Sequence, residues 1–511
     1  MRVNNYRNYT RIRCFYLVTT TYSCAIIATL MPAVARADTL REAVAAAYAN
    51  NPALQGSREL AEAADEGVTQ ARGAYGPTLS VSARHTYTAA RIRGTAFPSE
   101  NEGFASSAEL TLSQSLFTSG RLAANLDAAQ AARMAERERL RGASQQLIMD
   151  VVNAYVSLQR DIEIHGVAVE IYRLLLQQRD VTAARYRLRA STQPDLDQAA
   201  NRLELAAGRV IAARATVETS AARYRNLVGS YPAELAPLPP LPALPALEAL
   251  YAEAETHSPG IAAARFTELQ SRAAVAAARA EMRPQVSAFA SAGRSPASPY
   301  QNTLREEAVA AGIGLSMPLY TGDQLSAALR AAIDRNLADQ QFAEQTRRDV
   351  RETLATDWSL LRSATEAMPR FEAAVRAAER AVEGVKRQET SGIRTLRDVL
   401  DVTSDLLAAR TGAVQTLSEI YLRRVAVLRD TGLLSIETLA PGEPQRLDAN
   451  QPAAAALAGL PLRPVLEPVD RLLLDQRVPA APVQREDARV FEWSAMEVDP
   501  LQPPAATGSE D

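Results

Sequence analysis

Gly76-Pro77-Thr78-Leu79-Ser80-Val81-Ser82-Ala83-Arg84-His85-Thr86-Tyr87 alternates two kinds of side chain, and its opening returns 207 residues later as Arg283-Pro284-Gln285-Val286. Working outward, Asn51-Pro52 returns as Ser258-Pro259 at the same 207. Leu116-Phe117-Thr118 returns as Leu319-Tyr320-Thr321, Tyr155 as Trp358 and Asp195 as Asp398, all at 203. Landmarks held at so steady a spacing make the chain two copies of one unit of roughly 200 residues, and the fold follows from that repeat. The units are residues 38–230 and 246–440.

Each unit carries two alternating stretches. In the first, Leu79, Val81, Ala83, His85 and Tyr87 alternate with Ser80, Ser82, Arg84, Thr86 and Thr88, and Ala108, Leu110, Leu112 and Leu116 with Glu109, Thr111, Ser113 and Ser115. In the second, Val286, Ala288 and Ala290 alternate with Gln285, Ser287 and Ser291, and Ala311, Ile313, Leu315, Met317 and Leu319 with Gly312, Gly314 and Ser316. A period of two with one apolar face describes a half-buried soluble strand as well as a membrane strand with lipid outside and water inside. The helices beside these strands decide for the membrane, because they are too long for a globule. Four strands cannot close a barrel, which needs about eight, and an open sheet edge is not tolerated in lipid. Several chains must therefore share one barrel. Residues 89–106 and 294–307 are predicted to be the loops that join the strands and face outward.

Residues 324–386 are rich in Ala, Arg, Leu and Glu, all good helix formers. Leu354, Trp358, Leu361, Met368, Phe371, Val375, Ala378, Val382 and Val385 step mostly by four and three, a coiled-coil-like seam. At 1.5 Å per residue such a helix is about 95 Å long, a strut that must pack on other struts. Residues 121–186 are its counterpart. Pro369 and, 203 residues earlier, Gly166 are poor helix-interior residues and predict a kink at the same height in each unit. Six prolines in 231–245 predict an extended connector between the units. Residues 441–511 are Pro-rich without sustained periodicity and read as mostly disordered.

The N-terminus says where the repeats live. Arg2, Arg7, Arg11 and Arg13 precede a mostly apolar run at 16–30, and Ala35-Arg36-Ala37 is a small-x-small cleavage site. That is the pattern of a secretory signal peptide over 1–37. Both cysteines, Cys14 and Cys24, fall inside it, and Thr21-Tyr22-Ser23 before Cys24 is a poor lipid-anchor site. The processed chain keeps 51 basic against 59 acidic side chains, a net charge of −8, with Lys386 its one lysine. An acidic chain argues against nucleic acid as a partner. No run after residue 37 is long and apolar enough for a membrane helix, so a membrane location requires a barrel. No catalytic constellation is present. His85, His165 and His257 are far apart, and phosphate-binding, nucleophile-elbow and metalloprotease motifs are missing. We expect no enzyme activity, cofactor or metal.

These features together resemble the TolC family of outer-membrane channel-tunnels. The resemblance spans residues 38–434. It rests on Leu40-Arg41-Glu42-Ala43-Val44, Asn51-Pro52-Ala53-Leu54, Tyr75-Gly76-Pro77-Thr78-Leu79, the stretch from Val309 to Tyr320, and Gly392-Ile393-Arg394-Thr395-Leu396-Arg397-Asp398-Val399-Leu400-Asp401. It implies a mainly α protein with a membrane β-barrel. Long coiled-coil-like helices would form a periplasmic tunnel, and each chain would give four strands to a twelve-stranded barrel shared by a homotrimer in the outer membrane. The implied partners are outer-membrane lipid, a periplasmic adaptor and an inner-membrane ABC or proton-driven transporter. In such channels the periplasmic tip is closed by contacts between helices. Arg394 matches the arginine of that gate and Asp195 its acidic partner on a neighbouring chain. Asp398 and Asp401 match the acidic residues that ring the entrance. Glu389 departs from the pattern, standing where the best-studied member has a tyrosine. The expected function is the exit duct of type I protein secretion, with multidrug or small-molecule efflux as the alternative. A periplasmic adaptor or a structural coiled coil are readings of another class.

Overall fold

A computed structural model describes residues 39–94 and 99–439 of the chain. The predicted signal peptide and the tail 441–511 lie outside the described residues. The element order repeats. Helices α1 (Leu40–Asn50) and α2 (Pro52–Gly73) lead to strands β1 (Thr78–Ile92) and β2 (Ser99–Phe117), then to α3 (Arg121–Arg187) and α4 (Gln193–Val228). The same succession follows as α5 (Leu247–His257), α6 (Pro259–Glu281), β3 (Gln285–Ser298), β4 (Gln301–Ser316), α7 (Gln324–Thr390) and α8 (Leu396–Asp430), with a last turn, α9 (Ile436–Leu439).

The long helices α3 and α7 have 67 residues each, so each is about 100 Å long. α7 continues through Pro369 as one helix. Each long helix folds back onto a shorter one, α3 on α4 and α7 on α8. The largest core lies near mid-height. There α1 presents Leu40, Val44 and Tyr48, one helical turn apart, to Leu147, Val151, Tyr155 and Leu158 of α3 and Tyr224 of α4. The connector explains its prolines here. Leu235, Leu238, Leu241 and Leu244 recur every third residue, the period of a polyproline helix, and all four pack on this core. Tyr155 Oη donates to the Ala236 carbonyl at 2.7 Å and pins the strap.

The four strands form one antiparallel sheet in the order β1-β2-β3-β4, with β1 and β4 as its edges. Register puts Val81, Leu110, Ala292 and Val309 in one row and Leu79, Leu112, Ala290 and Ala311 in another, all on one face. That face is bare in the single chain: Val81 is 75% exposed and Val309 86%. The opposite face carries Ser80, Thr111 and Ser291, with Phe289 lying over Gly312, where a Cβ would meet the ring at 3.0 Å. The expected loops are a correction. Pairing continues to Ile92↔Ser99 and Ser298↔Gln301, so most of 89–106 and 294–307 is ladder. Polar cross-strand pairs replace apolar ones there, as in Arg91–Glu100 and Tyr87–Glu102, so the hydrophobic alternation ends before the backbone pairing does.

Equivalent helix ends in the two units are not equally crowded. Gly229 and Gly432 follow α4 and α8 in left-handed conformation, at φ 99° and 76°. A Cβ on Gly229 would meet nothing, but one on Gly432 would lie 2.1 Å from the His257 carbonyl oxygen. We predict that Gly432→Ala destabilises by about 2–3 kcal/mol or more and Gly229→Ala by only about 1 kcal/mol. Thermal melts of the two variants should differ accordingly, and equal losses would refute the close approach.

Candidate functional site

The two hairpin turns lie together at one end of the molecule. Beneath them Ile171 and Leu175 of α3, Leu203 of α4, Val382 of α7 and Leu396, Leu400 and Leu406 of α8 share one buried cluster. Both turns use the same local chemistry. Thr192 and Thr395 cap α4 and α8, and the aspartate three residues on, Asp195 or Asp398, completes a capping box. The Asp195 carboxylate accepts from the Thr192 N–H at 3.0 Å, its hydroxyl at 2.6 Å and Ser191 Oγ at 3.2 Å. Asp398 accepts from the N–H and hydroxyl of Thr395, each at 2.9 Å. The Thr192 hydroxyl first, then its N–H, hold the Asp195 carboxyl below the usual carboxylate range. For Asp398 the Thr395 N–H leads, followed by its hydroxyl.

The other predicted residues divide. Glu389, only 10% exposed, pairs with Arg185 near the end of α3, so the position that departs from the TolC pattern is an ion pair between the two units. Asp401 faces Arg202 of α4 at 3.3 Å and Arg397 of its own helix at 3.8 Å. Arg394 is an exposed turn residue, and within one chain it makes no hydrogen bond or ion pair with Asp195 among the described residues. Sequence reading missed Arg185, Arg202 and Arg410. Arg410 of α8 reaches Glu170 of α3 and Glu379 of α7, the latter at 2.8 Å. These pairings join residues on different helices, from 31 to 240 positions apart, and no local spacing marks them.

A second charged group is buried between α7 and α8, well above the tip. Asp357 pairs with Arg423 at 2.7 Å and lies 3.8 Å from Arg429, which itself pairs with Asp430 at 2.7 Å. Burial pushes the Asp430 carboxyl up to about 6, with Arg429 opposing and Asp357 adding to the rise. A raised carboxyl binds its proton more tightly in the folded chain. Its stabilising contribution is therefore greatest below the ordinary carboxylate range and fades as pH rises through about 6. We predict that Asp430→Asn gains on the order of 1 kcal/mol over the parent between pH 5 and pH 8. Melting of both proteins across that range checks it, and parallel curves would refute it.

Among the described residues no group of three or more His, Cys, Asp or Glu could hold a metal ion, and no helix is long and apolar enough to cross a membrane. What the arrangement offers is a bare apolar sheet at one end and, at the other, four helix ends tied by ion pairs.

Comparison with known proteins agrees with this geometry. The family model described as outer membrane efflux protein matches residues 43–230 and 250–432. The chain is 29% identical over 408 residues to the outer membrane efflux protein BepC of Brucella suis, covering 79% of this chain and 88% of that one. It is 27% identical over 285 residues to the alkaline protease secretion protein AprF of Pseudomonas aeruginosa, covering 53% and 58%. Its fold is similar to the outer membrane protein VceC of Vibrio cholerae, with a TM-score of 0.67 at 19% identity over 77% of this chain and 96% of that one.

Proposed function

The chain belongs to the outer membrane efflux protein family, and from that premise we propose that it is the outer-membrane exit duct of type I protein secretion, working as a homotrimer. Membership already makes it a channel of the outer membrane, with its helices in the periplasm, and sets aside the adaptor and coiled-coil readings. The sheet supports the trimer. Edges β1 and β4 are open, and an open edge is not tolerated in lipid, so copies must pair edge to edge until the ring closes. Three copies give the twelve strands that the resemblance implies.

One observation carries the secretion reading: the likeness to a relative whose name is that of a protease secretion protein. The poor lipid-anchor context of Cys24 agrees with it. The name of BepC favours the second reading, efflux of small molecules. The inner-membrane partner, an ABC or proton-driven transporter, differs between the two, because substrate choice is made there and not in the duct. Deleting the gene and comparing secreted proteins with resistance to toxic small molecules separates them. Loss of a secreted protein with unchanged resistance supports type I secretion; lowered resistance with an unchanged secreted set supports efflux.

A further inference from the structure

The repeat specifies how the open edges β1 and β4 meet. It maps β1 onto β3 at 207 residues and β2 onto β4 at 203. Pairing inside the sheet obeys the same map. Leu79↔Leu112 becomes Val286↔Leu315 and Ala83↔Ala108 becomes Ala290↔Ala311, and all four pairs are present. The two hairpins are therefore equivalent residue for residue. The β2–β3 seam, where the first hairpin meets the second, then has one equivalent left, the seam where β4 meets β1 of another copy. Carrying Ser113↔Phe289, Thr111↔Ser291 and Ala108↔Arg294 across that map sets Ser316, Gly314 and Ala311 opposite the partner subunit's Ser82, the partner subunit's Arg84 and the partner subunit's Tyr87.

Side chains that played no part in the mapping agree with this register. Gly293 and Gly312, on the polar face of the sheet, each lie under a long side chain from the residue directly opposite. Glu109 covers Gly293, where a Cβ would lie 3.5 Å from its Cγ, and Phe289 covers Gly312 at 3.0 Å. Such cover repairs the weak place that glycine makes in a strand. Gly314 faces Ser287, and a Cβ there would meet nothing within 4 Å. The register brings it the partner subunit's Arg84, a residue that within its own chain makes no hydrogen bond or ion pair among the described residues. Continued along the strands, it sets Glu307 opposite the partner subunit's Arg91, opposite charges on one face. A slip by one residue would turn Arg84 into the apolar rows. A slip by two would oppose Arg305 to Arg91 in one direction and leave Gly314 facing the shorter Thr86 in the other.

We propose that β4 of each copy pairs with β1 of its neighbour in this register, with Arg84 of one subunit laid over Gly314 of the next. The register rests on the trimeric reading above and states where each copy grips the next.

Cysteines placed on the two edges read the register directly. A disulfide needs Cα atoms within about 7 Å, and a diagonal cross-strand neighbour lies at about 7–8 Å. Cys14→Ser and Cys24→Ser remove the native thiols. In that chain Ser316→Cys is combined in turn with Ser80→Cys, Ser82→Cys and Arg84→Cys, and the full-length assembly in detergent is mildly oxidised. Ser82→Cys with Ser316→Cys should give a covalent trimer, bonded at all three seams, several-fold faster than either other pair. Faster linking by the Ser80→Cys or Arg84→Cys pair would overturn the register, and so would no linking in a trimer that stays intact. Sedimentation of the same samples keeps the two readings apart. A trimer with another linking pattern removes the register alone, whereas a protein that is not trimeric removes the shared ring and the register with it.

Discussion

Breaking the ion pairs between the units is expected to open the periplasmic end. Arg185→Ala together with Arg410→Ala should raise single-channel conductance in planar bilayers severalfold, with insertion and trimer formation unchanged. The hairpins α3–α4 and α7–α8 are joined by Arg185–Glu389 and Arg202–Asp401 at the tip and by Arg410–Glu170 further along, while Arg410 also pairs with Glu379 inside its own hairpin. An exposed pair is worth only ~0–1 kcal/mol. Glu389 is the exception, because removing Arg185 leaves a mostly covered carboxylate without its partner. Every copy in the trimer repeats these contacts, so small terms add at one constriction. The contact between Arg394 and Asp195 of a neighbouring chain is a further part of the proposed gate. Asp195 also completes the capping box of α4, so Asp195→Ala would weaken the helix end and confuse the result. Asp195→Asn keeps a capping side chain and removes the charge. Unchanged conductance in Arg394→Ser, Asp195→Asn and the Arg185/Arg410 double variant would sink the gate assignment as a whole.

The second large effect is expected at the entrance. Trivalent cations added on the periplasmic side should block the channel, and Asp398→Asn with Asp401→Asn should abolish the block. Asp398 and Asp401 are three residues apart on α8 and share a face, so a trimer stacks two rings of carboxylates there. Such rings concentrate cations and repel anions. Two features of this chain refine the expectation. Thr395 holds the Asp398 carboxyl below its ordinary range, so its charge, and the block it supports, should persist as pH falls into mildly acid conditions. Arg202 and Arg397 sit beside Asp401 and offset its charge, so Arg202→Ala should tighten the block. Equal block in the parent and the double Asn variant would mean that these carboxylates serve only as a helix cap and a solvated charge.

Much of this protein is legible without coordinates, and the reason is period. Two copies of one unit, strands of period two and struts of period near 3.6 are all one-dimensional patterns, and each backbone geometry imposes its own. The capping boxes at Thr192 and Thr395 belong to the same class, because a cap is satisfied within four residues. Local chemistry misled only where it changed while the backbone did not. The ladders ran on beyond Tyr87 after the apolar alternation stopped. What tertiary structure alone decided is the partner of each charge. Glu389 looks like any acidic residue near a helix end until α3 brings Arg185 beside it, and Asp430 looks solvated until α7 and α8 bury it against Asp357. Charge pairing depends on which helix faces meet and on how much water they exclude, and neither is written in the spacing of residues along one chain.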